Sequence, residues 1–236
     1  MKTEKRKVAY ITGGSLGIGF GIAQALLRQG YLVAISGRNA ERIAKAGDQL
    51  GAESVLGLVS DVSRADEEEA AVSKILNTWG RLDVVVANAG VGHFAPVDKL
   101  SAAQWQEMIN TNLTGAFNTL QASMQALKDS KGYYITIASL AGANFFASGA
   151  GYNASKFGLV GFTQAVMLDL RPYDIKVTTI MPGSVATHFN NHIPAPSDAW
   201  KIQPEDIGEL VADLLNMHPR TLPSKIEVRP SRPDLK

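Results

Sequence analysis

The sequence predicts an α/β fold: a single Rossmann-like domain, a doubly wound parallel sheet of about seven strands with helices on both faces. Three observations carry this expectation. Short apolar runs alternate with segments of helical periodicity along the whole chain. The runs are continuously apolar rather than alternating, as in strands whose two faces are both covered. A glycine-rich turn, Thr12-Gly-Gly-Ser-Leu-Gly-Ile-Gly19, stands where the first run meets the first helical segment.

The elements follow in order. Val8–Thr12 reads as a buried strand, and 17–29 as a helix with Ile18, Ile22, Ala25 and Leu26 at helical spacing, stopped by Gly30. Residues 31–36 form a second strand and 39–50 a second helix with Asn39 as its N-cap. A third strand spans 55–59, and Asp61-Val62-Ser63 leads into a helix ending at Trp79. Leu82–Ala87 is a fourth strand. Two long helices, 102–127 and 151–171, bracket a strand at 133–138. A further strand, 176–181, ends at Pro182-Gly183. Residues 184–203, with Pro194 and Pro196 and no periodicity, form a loop or lid; a helix near 204–217 and a strand near 225–228 complete the pattern. No Gly/Ser/Pro-rich linker divides the halves, so 1–236 reads as one domain.

Composition narrows the function classes. The 236 residues are 45% hydrophobic, enough for a sizeable core. With no cysteine, disulfides, thiolate metal sites and cysteine nucleophiles are excluded. A net charge of +1 gives no global case for nucleic acid or membrane as a partner. The basic start, Met1–Lys7, imitates the opening of a signal peptide, but the apolar run behind it meets Gly13-Gly14 at once. The expectation is a soluble, cytoplasmic protein.

Glycines at the strand-to-helix turn permit a tight bend and let a pyrophosphate approach the backbone at the helix N-terminus. The spacing is not GxGxxG, since position 22 is Ile. An acid at the end of the second strand would hold a ribose 2′-hydroxyl; here Ser36-Gly37-Arg38-Asn39 closes it, and an arginine accommodates a 2′-phosphate. Arg38 therefore points to NADP(H), with Asn39 beside it. Tyr152 and Lys156, four apart on a helix, share a face. A free phenol has a pKa of about 10, and a neighbouring ammonium lowers it, so this pair is suited to pass a proton to a carbonyl oxygen.

With these motifs in order, the chain resembles the short-chain dehydrogenase/reductase family over nearly its whole length. Thr12–Gly19 matches TGxxxGxG, Asn88-Ala89-Gly90 matches NAG, Tyr152–Lys156 matches YxxxK, and Pro182–Thr187 matches PGxVxT. Ser139 precedes Tyr152 by thirteen residues, the family's usual interval. The resemblance implies a catalytic set of Asn112, Ser139, Tyr152 and Lys156, with Asn112 holding a proton-relaying water and Lys156 also binding nicotinamide ribose. It implies cofactor contacts from Gly13, Ser15, Leu16, Gly17, Ile18, Gly19, Arg38, Asn39, Asp61, Val62, Asn88, Ala89, Gly90, Tyr152, Lys156, Pro182, Gly183, Val185 and Thr187. For Asp61 an adenine contact and a helix N-cap are both open. Leu16 stands where many NADP-dependent relatives carry a basic residue.

The expected activity is NADPH-dependent reduction of a ketone or aldehyde, a 3-oxoacyl thioester or medium-sized ketone among them. The alternative is an NADP-binding regulatory protein without turnover. A carrier-protein substrate calls for a basic face near the site; Lys128, Lys131 and Arg171 either supply one or serve as helix-end cations. Phe94, Phe145 and Phe146 are expected as apolar walls, with His93, His188 and the Asn190–Asn191 pair at the rim. His188 and His192 hint at a metal, but without a nearby acid before Asp198 no metal site is expected. A homotetramer or homodimer is expected, joined through the two long helices, where Ala154, Gly158, Gly161 and Ala165 permit close approach.

Overall fold

The computed structural model describes residues 6–232, apart from the side chain of Asn191; most of the basic start, up to Lys5, lies outside the described residues. Seven strands form one sheet: β1 (Val8–Thr12), β2 (Leu32–Gly37), β3 (Val55–Val59), β4 (Val84–Ala87), β5 (Tyr133–Ile137), β6 (Lys176–Pro182) and β7 (Lys225–Val228). Every pairing is parallel, in the order β3-β2-β1-β4-β5-β6-β7. Strand order reverses between β1 and β4, where connections leave to opposite sides and open a crevice beyond the strands' carboxyl ends.

The described residues form seven α-helices around the sheet: α1 (Gly17–Arg28), α2 (Ala40–Leu50), α3 (Ala65–Trp79), α4 (Ala102–Ile109), α5 (Gly115–Ser130), α6 (Ala150–Leu170), on which α4 packs, and α7 (Pro204–Asn216). Alternation along β1 shows how the faces divide. Ala9 and Ile11 pack with Ile22 and Leu26 of α1 and Ile207 and Val211 of α7. Val8 and Tyr10 pack with Ile75 of α3, Leu120 of α5 and Leu159 of α6. Successive side chains leave opposite faces of a strand, so a continuously apolar run feeds two cores at once.

Two expectations need correction. The predicted unbroken helix over 102–127 is instead α4, a π-helical turn at Asn110–Thr114, and α5. The wider turn falls where Asn112 reaches across to Val91 and where Gly115 lies against Val62 too closely for a Cβ. Asp61 does not cap α3, whose N-cap position is Arg64. Its Oδ1 instead accepts from the backbone N and Oγ of Ser63, an Asx turn one step earlier. Asn39 does cap α2, accepting from Arg42 N at 2.9 Å. The 184–203 segment is ordered by short 3₁₀ turns at Phe189–Asn191 and Pro196–Asp198 and by a bridge between Val185 and Ile202. Among the described residues, no helix is long and apolar enough to cross a membrane.

Candidate active site

The carboxyl ends of β1, β4, β5 and β6 surround a cavity of about 1330 Å³. That exceeds the ~300–1,000 Å³ of a typical small-molecule site, leaving room for a dinucleotide and a second reactant together. Its floor is the glycine turn. Gly13 and Gly17 have φ of 64° and 56°, in the left-handed region that favours glycine. A Cβ on Gly19 would come 2.5 Å from Gly13 O and 2.6 Å from Asn88 Nδ2, so α1 approaches the turn only because position 19 has none. No side chain caps α1 at Leu16. The first N–H groups of that helix are therefore left to an anion, which fits the pyrophosphate of a dinucleotide.

Asn88 secures this floor. Its Nδ2 donates to Thr12 O at 2.9 Å and Gly13 O at 3.1 Å, while Thr12 Oγ1 accepts from the N–H groups of Asn88 and Ala89. Asn88, Ala89 and Gly90 then line the cavity with Leu16, Gly17 and Ile18. Pro182, Gly183, Val185 and Thr187 form the opposite wall.

Ser139, Tyr152 and Lys156 converge on the same space. Ser139 leaves the end of β5, and its Oγ accepts from Ala141 N at 3.1 Å. Asn153, beside Tyr152 on α6, donates to Ala141 O and Asn144 O, holding the Ser139 loop against the helix that carries Tyr152. Lys156 is buried, with Nζ donating to Ile137 O at 3.1 Å and lying 5.8 Å from the Tyr152 ring. Asn112 does not line the cavity. Its Oδ1 accepts from Val91 N, and its Nδ2 donates to Val91 O and Ser155 Oγ, pinning the β4 exit to α6.

The electrostatics differ from the expected lowering of Tyr152 by its lysine. Burial pushes the Tyr152 phenol above its ordinary value, opposed by a hydrogen bond from Ser139. Burial also lowers Lys156, to about 8. Desolvation disfavours the charged form of each group.

The adenosine-side residues are arranged otherwise. Ser15, Arg38, Asn39, Asp61 and Val62 do not line the cavity, and Gly19 lies behind the turn; Arg42, in the first turn of α2, does line it. Arg38 is half-exposed, with Nη1 3.8 Å from Glu107 Oε1. Sequence reasoning passed over Arg42, although its place three residues after the Asn39 cap was a usable signal.

Aromatic rings enclose Tyr152: Phe94 at 5.3 Å between centroids and Phe189 at 5.8 Å, with Phe146 5.9 Å from Phe94. Phe145 is not a wall. It is 86% exposed, and Phe189 takes the place expected for it. His93 turns away from the cavity to Glu107 Oε2 at 2.8 Å. His188 and His192 line the cavity, Asn190 does not, and the Asn191 side chain lies outside the described residues. His192 Nε2 is 2.6 Å from Asp198 Oδ2, and Lys201 Nζ is 2.7 Å from Oδ1. Those two partners and Ala195 N hold the Asp198 carboxyl well below the usual range. Among the described residues no group of three or more His, Cys, Asp or Glu is placed to hold a metal. Lys128 and Lys131 precede β5 at the opposite end of the sheet, stacked on Tyr173 and paired with Asp174, so no basic face forms from them at the cavity mouth.

A model of the short chain dehydrogenases matches residues 7–198. An uncharacterized oxidoreductase of Staphylococcus aureus (strain MW2) is 33% identical over 225 residues, 95% of this chain and 97% of the relative. Among solved structures, an alcohol dehydrogenase from the archaeon Thermococcus sibiricus, complexed with 5-hydroxy-NADP, is similar with a TM-score of 0.90 and 34% identity, over 97% of this chain and 99% of that one. A metagenomic short-chain oxidoreductase in complex with NADP gives a TM-score of 0.84 at 33% identity, over 96% and 98% of the two chains.

Proposed function

From the premise that the chain belongs to the short chain dehydrogenase family of oxidoreductases, we propose that it reduces a ketone or aldehyde to an alcohol with NADPH. The observation that carries this reading is the convergence of Ser139, Tyr152 and Lys156 on one wall of a cavity whose floor is an uncapped helix N-terminus. Held over the glycine turn, a nicotinamide dinucleotide would supply the hydride. Tyr152, kept protonated by burial, donates its proton to the carbonyl oxygen, and Ser139 hydrogen-bonds that oxygen. Lys156, brought to about 8, holds the ribose hydroxyls and exchanges a proton near neutral pH to restore the phenol. Asn112 fixes the geometry of the exit path at the π-helical turn, and a water there relays protons to solvent.

Preference for NADPH rests on Arg38 and Arg42 at the β2 end, where the strand closes on Ser36-Gly37-Arg38-Asn39 and not on the acid that would hold an unphosphorylated ribose. Gly13, Leu16, Gly17 and Ile18, which line the cavity, would hold the phosphates, with Ser15 and Gly19 shaping the turn that carries them, and the loop of Asp61 and Val62 would border the adenine. Thr187, on the cavity wall, would hold the carboxamide. The substrate is a medium-sized ketone with an apolar arm, since Phe94 and Phe189 flank the proton donor and Phe146, packed on Phe94, lines the same cavity. A cytoplasmic homotetramer or homodimer goes with this reading: Phe117, Phe157 and Leu168 are exposed on α5 and α6, and open space lies over Gly161. Comparing kcat/KM for an aryl β-ketoester with that for a free aldose tests the substrate class. The ketoester is expected to be reduced more efficiently, and preference for the sugar would overturn the apolar pocket.

A further inference from the structure

One buried carboxylate is held without any cation. Glu68, in the first turn of α3, is wholly inaccessible, and it takes part in no ion pair among the described residues. Such a group is costly to bury unless hydrogen bonds compensate it. Here hydroxyls do so. Oε1 accepts from Tyr10 Oη at 2.9 Å and Ser60 Oγ at 2.7 Å, and Oε2 accepts from Thr119 Oγ1 at 2.7 Å. The N-terminal end of α3 adds a favourable field. Burial and the Glu68 charge hold the Tyr10 phenol well above its ordinary value, so it remains a donor.

The donors come from β1, from the residue just past β3, and from α5, and the network extends to the end of β2 through Ser36 Oγ, 3.0 Å from Tyr10 Oη. Two of these points continue directly into the adenosine side: Ser36 leads to Arg38 and Asn39, Ser60 to Asp61 and Val62. The second loop is gripped from two more sides, by Glu67 Oε2 accepting from Asp61 N at 2.8 Å and by Asn118 Nδ2 donating to Val62 O at 2.9 Å. For folding alone, an apolar side chain of similar volume would serve at lower cost.

We propose that Glu68 is a positioning residue for the adenosine end of the cofactor cradle, its buried carboxylate fixing the exits of β2 and β3 at the spacing that Arg38 and Asp61 require. The inference rests on the dinucleotide reading above. Ser60 N also donates to Gly37 O at 3.2 Å, so the backbone ladder joins the same two exits that the carboxylate network holds from beneath.

The test uses the full chain and calorimetric titration with 5′-ADP and 2′,5′-ADP. Glu68→Ala is expected to weaken 2′,5′-ADP binding at least ~10-fold, the scale of one hydrogen bond to a charged group, while kcat at saturating NADPH stays within about twofold. Glu68→Gln should restore binding to within ~3-fold, because its amide oxygen keeps two donors and Thr119 can accept from its amide. Leu170→Ala, a core substitution on α6, controls for lost stability: it should lower Tm without changing either affinity. Where Glu68→Ala does not fold, Ser60→Ala cuts the link to the loop and should itself weaken binding ~3-fold or more. Unchanged affinity in Glu68→Ala or Ser60→Ala, or equal weakening in Leu170→Ala, would overturn the proposal. A wild-type protein that binds neither nucleotide fails the dinucleotide reading instead, before any variant is compared.

Discussion

At the proposed catalytic end of the cavity, Ser139, Tyr152 and Lys156 line the open space, whereas at the proposed adenosine end the side chains named from the sequence mostly serve their own backbone. Asn39 caps α2, Asp61 closes an Asx turn, and Val62 packs against Gly115. The contrast follows from what each end must do. Proton transfer needs particular functional groups at bonding distance from the reacting atoms. Holding a nucleotide needs loops at a fixed spacing, and the polar groups beneath them can supply that spacing.

The sharpest way to break the comparison is at the catalytic end. Tyr152→Phe keeps the ring packed between Phe94 and Phe189 and removes only the hydroxyl. Turnover is expected to fall at least ~10²-fold, the lower range for a general acid, with the Kd for NADPH unchanged; steady-state kinetics beside a fluorescence titration would show both. Arg38→Ala acts at the other end. A charge-assisted bond to phosphate is worth about 1.5–3 kcal/mol, so wild type should prefer NADPH over NADH by at least ~10-fold and the variant should lose most of that. Equal kcat/KM for the two cofactors in wild type would show that Arg38 stays with Glu107.

Smaller effects sharpen the picture. Phe189→Ala should raise KM for an aryl ketone by roughly 2–10-fold, the worth of an aromatic contact, while Phe145→Ala should leave it unchanged. Equal effects would mean that Phe145 turns inward when substrate binds. Lys156→Met should reduce activity yet raise Tm at neutral pH, because it removes a buried ammonium. The sign with pH follows from a folded pKa of about 8, below the ordinary 10.5. The penalty is complete below pH 8 and disappears as pH rises past 10.5, so the variant's advantage in Tm should shrink across that interval. A constant difference from pH 7 to 11 would contradict the burial of that charge.

The sheet and the shared helix face of Tyr152 and Lys156 were legible because their signals are local. Apolar runs such as Val8–Thr12 mark buried strands, and Tyr152 and Lys156 mark a helix face by spacing alone. The π-helical turn was not legible, since it depends on Asn112 reaching Val91 and on Val62 crowding Gly115, contacts between segments far apart in sequence. Phe145 and Phe189 were exchanged for the same reason: only the folded 184–203 segment, drawn together by Asp198, brings Phe189 to Tyr152. Glu68 lay inside an acidic run, Asp66-Glu67-Glu68-Glu69, that reads as an exposed helix start. Its burial depends on hydroxyls from three other elements.

The most direct measurement is NADPH consumption by the wild-type protein in the presence of a panel of carbonyl compounds led by an aryl β-ketoester, with the alcohol quantified alongside. Consumption equal to alcohol formed is expected, and it should be lost in Tyr152→Phe. Tight NADPH binding with no consumption across the panel would contradict carbonyl reduction and favour a protein that binds the cofactor without turning it over.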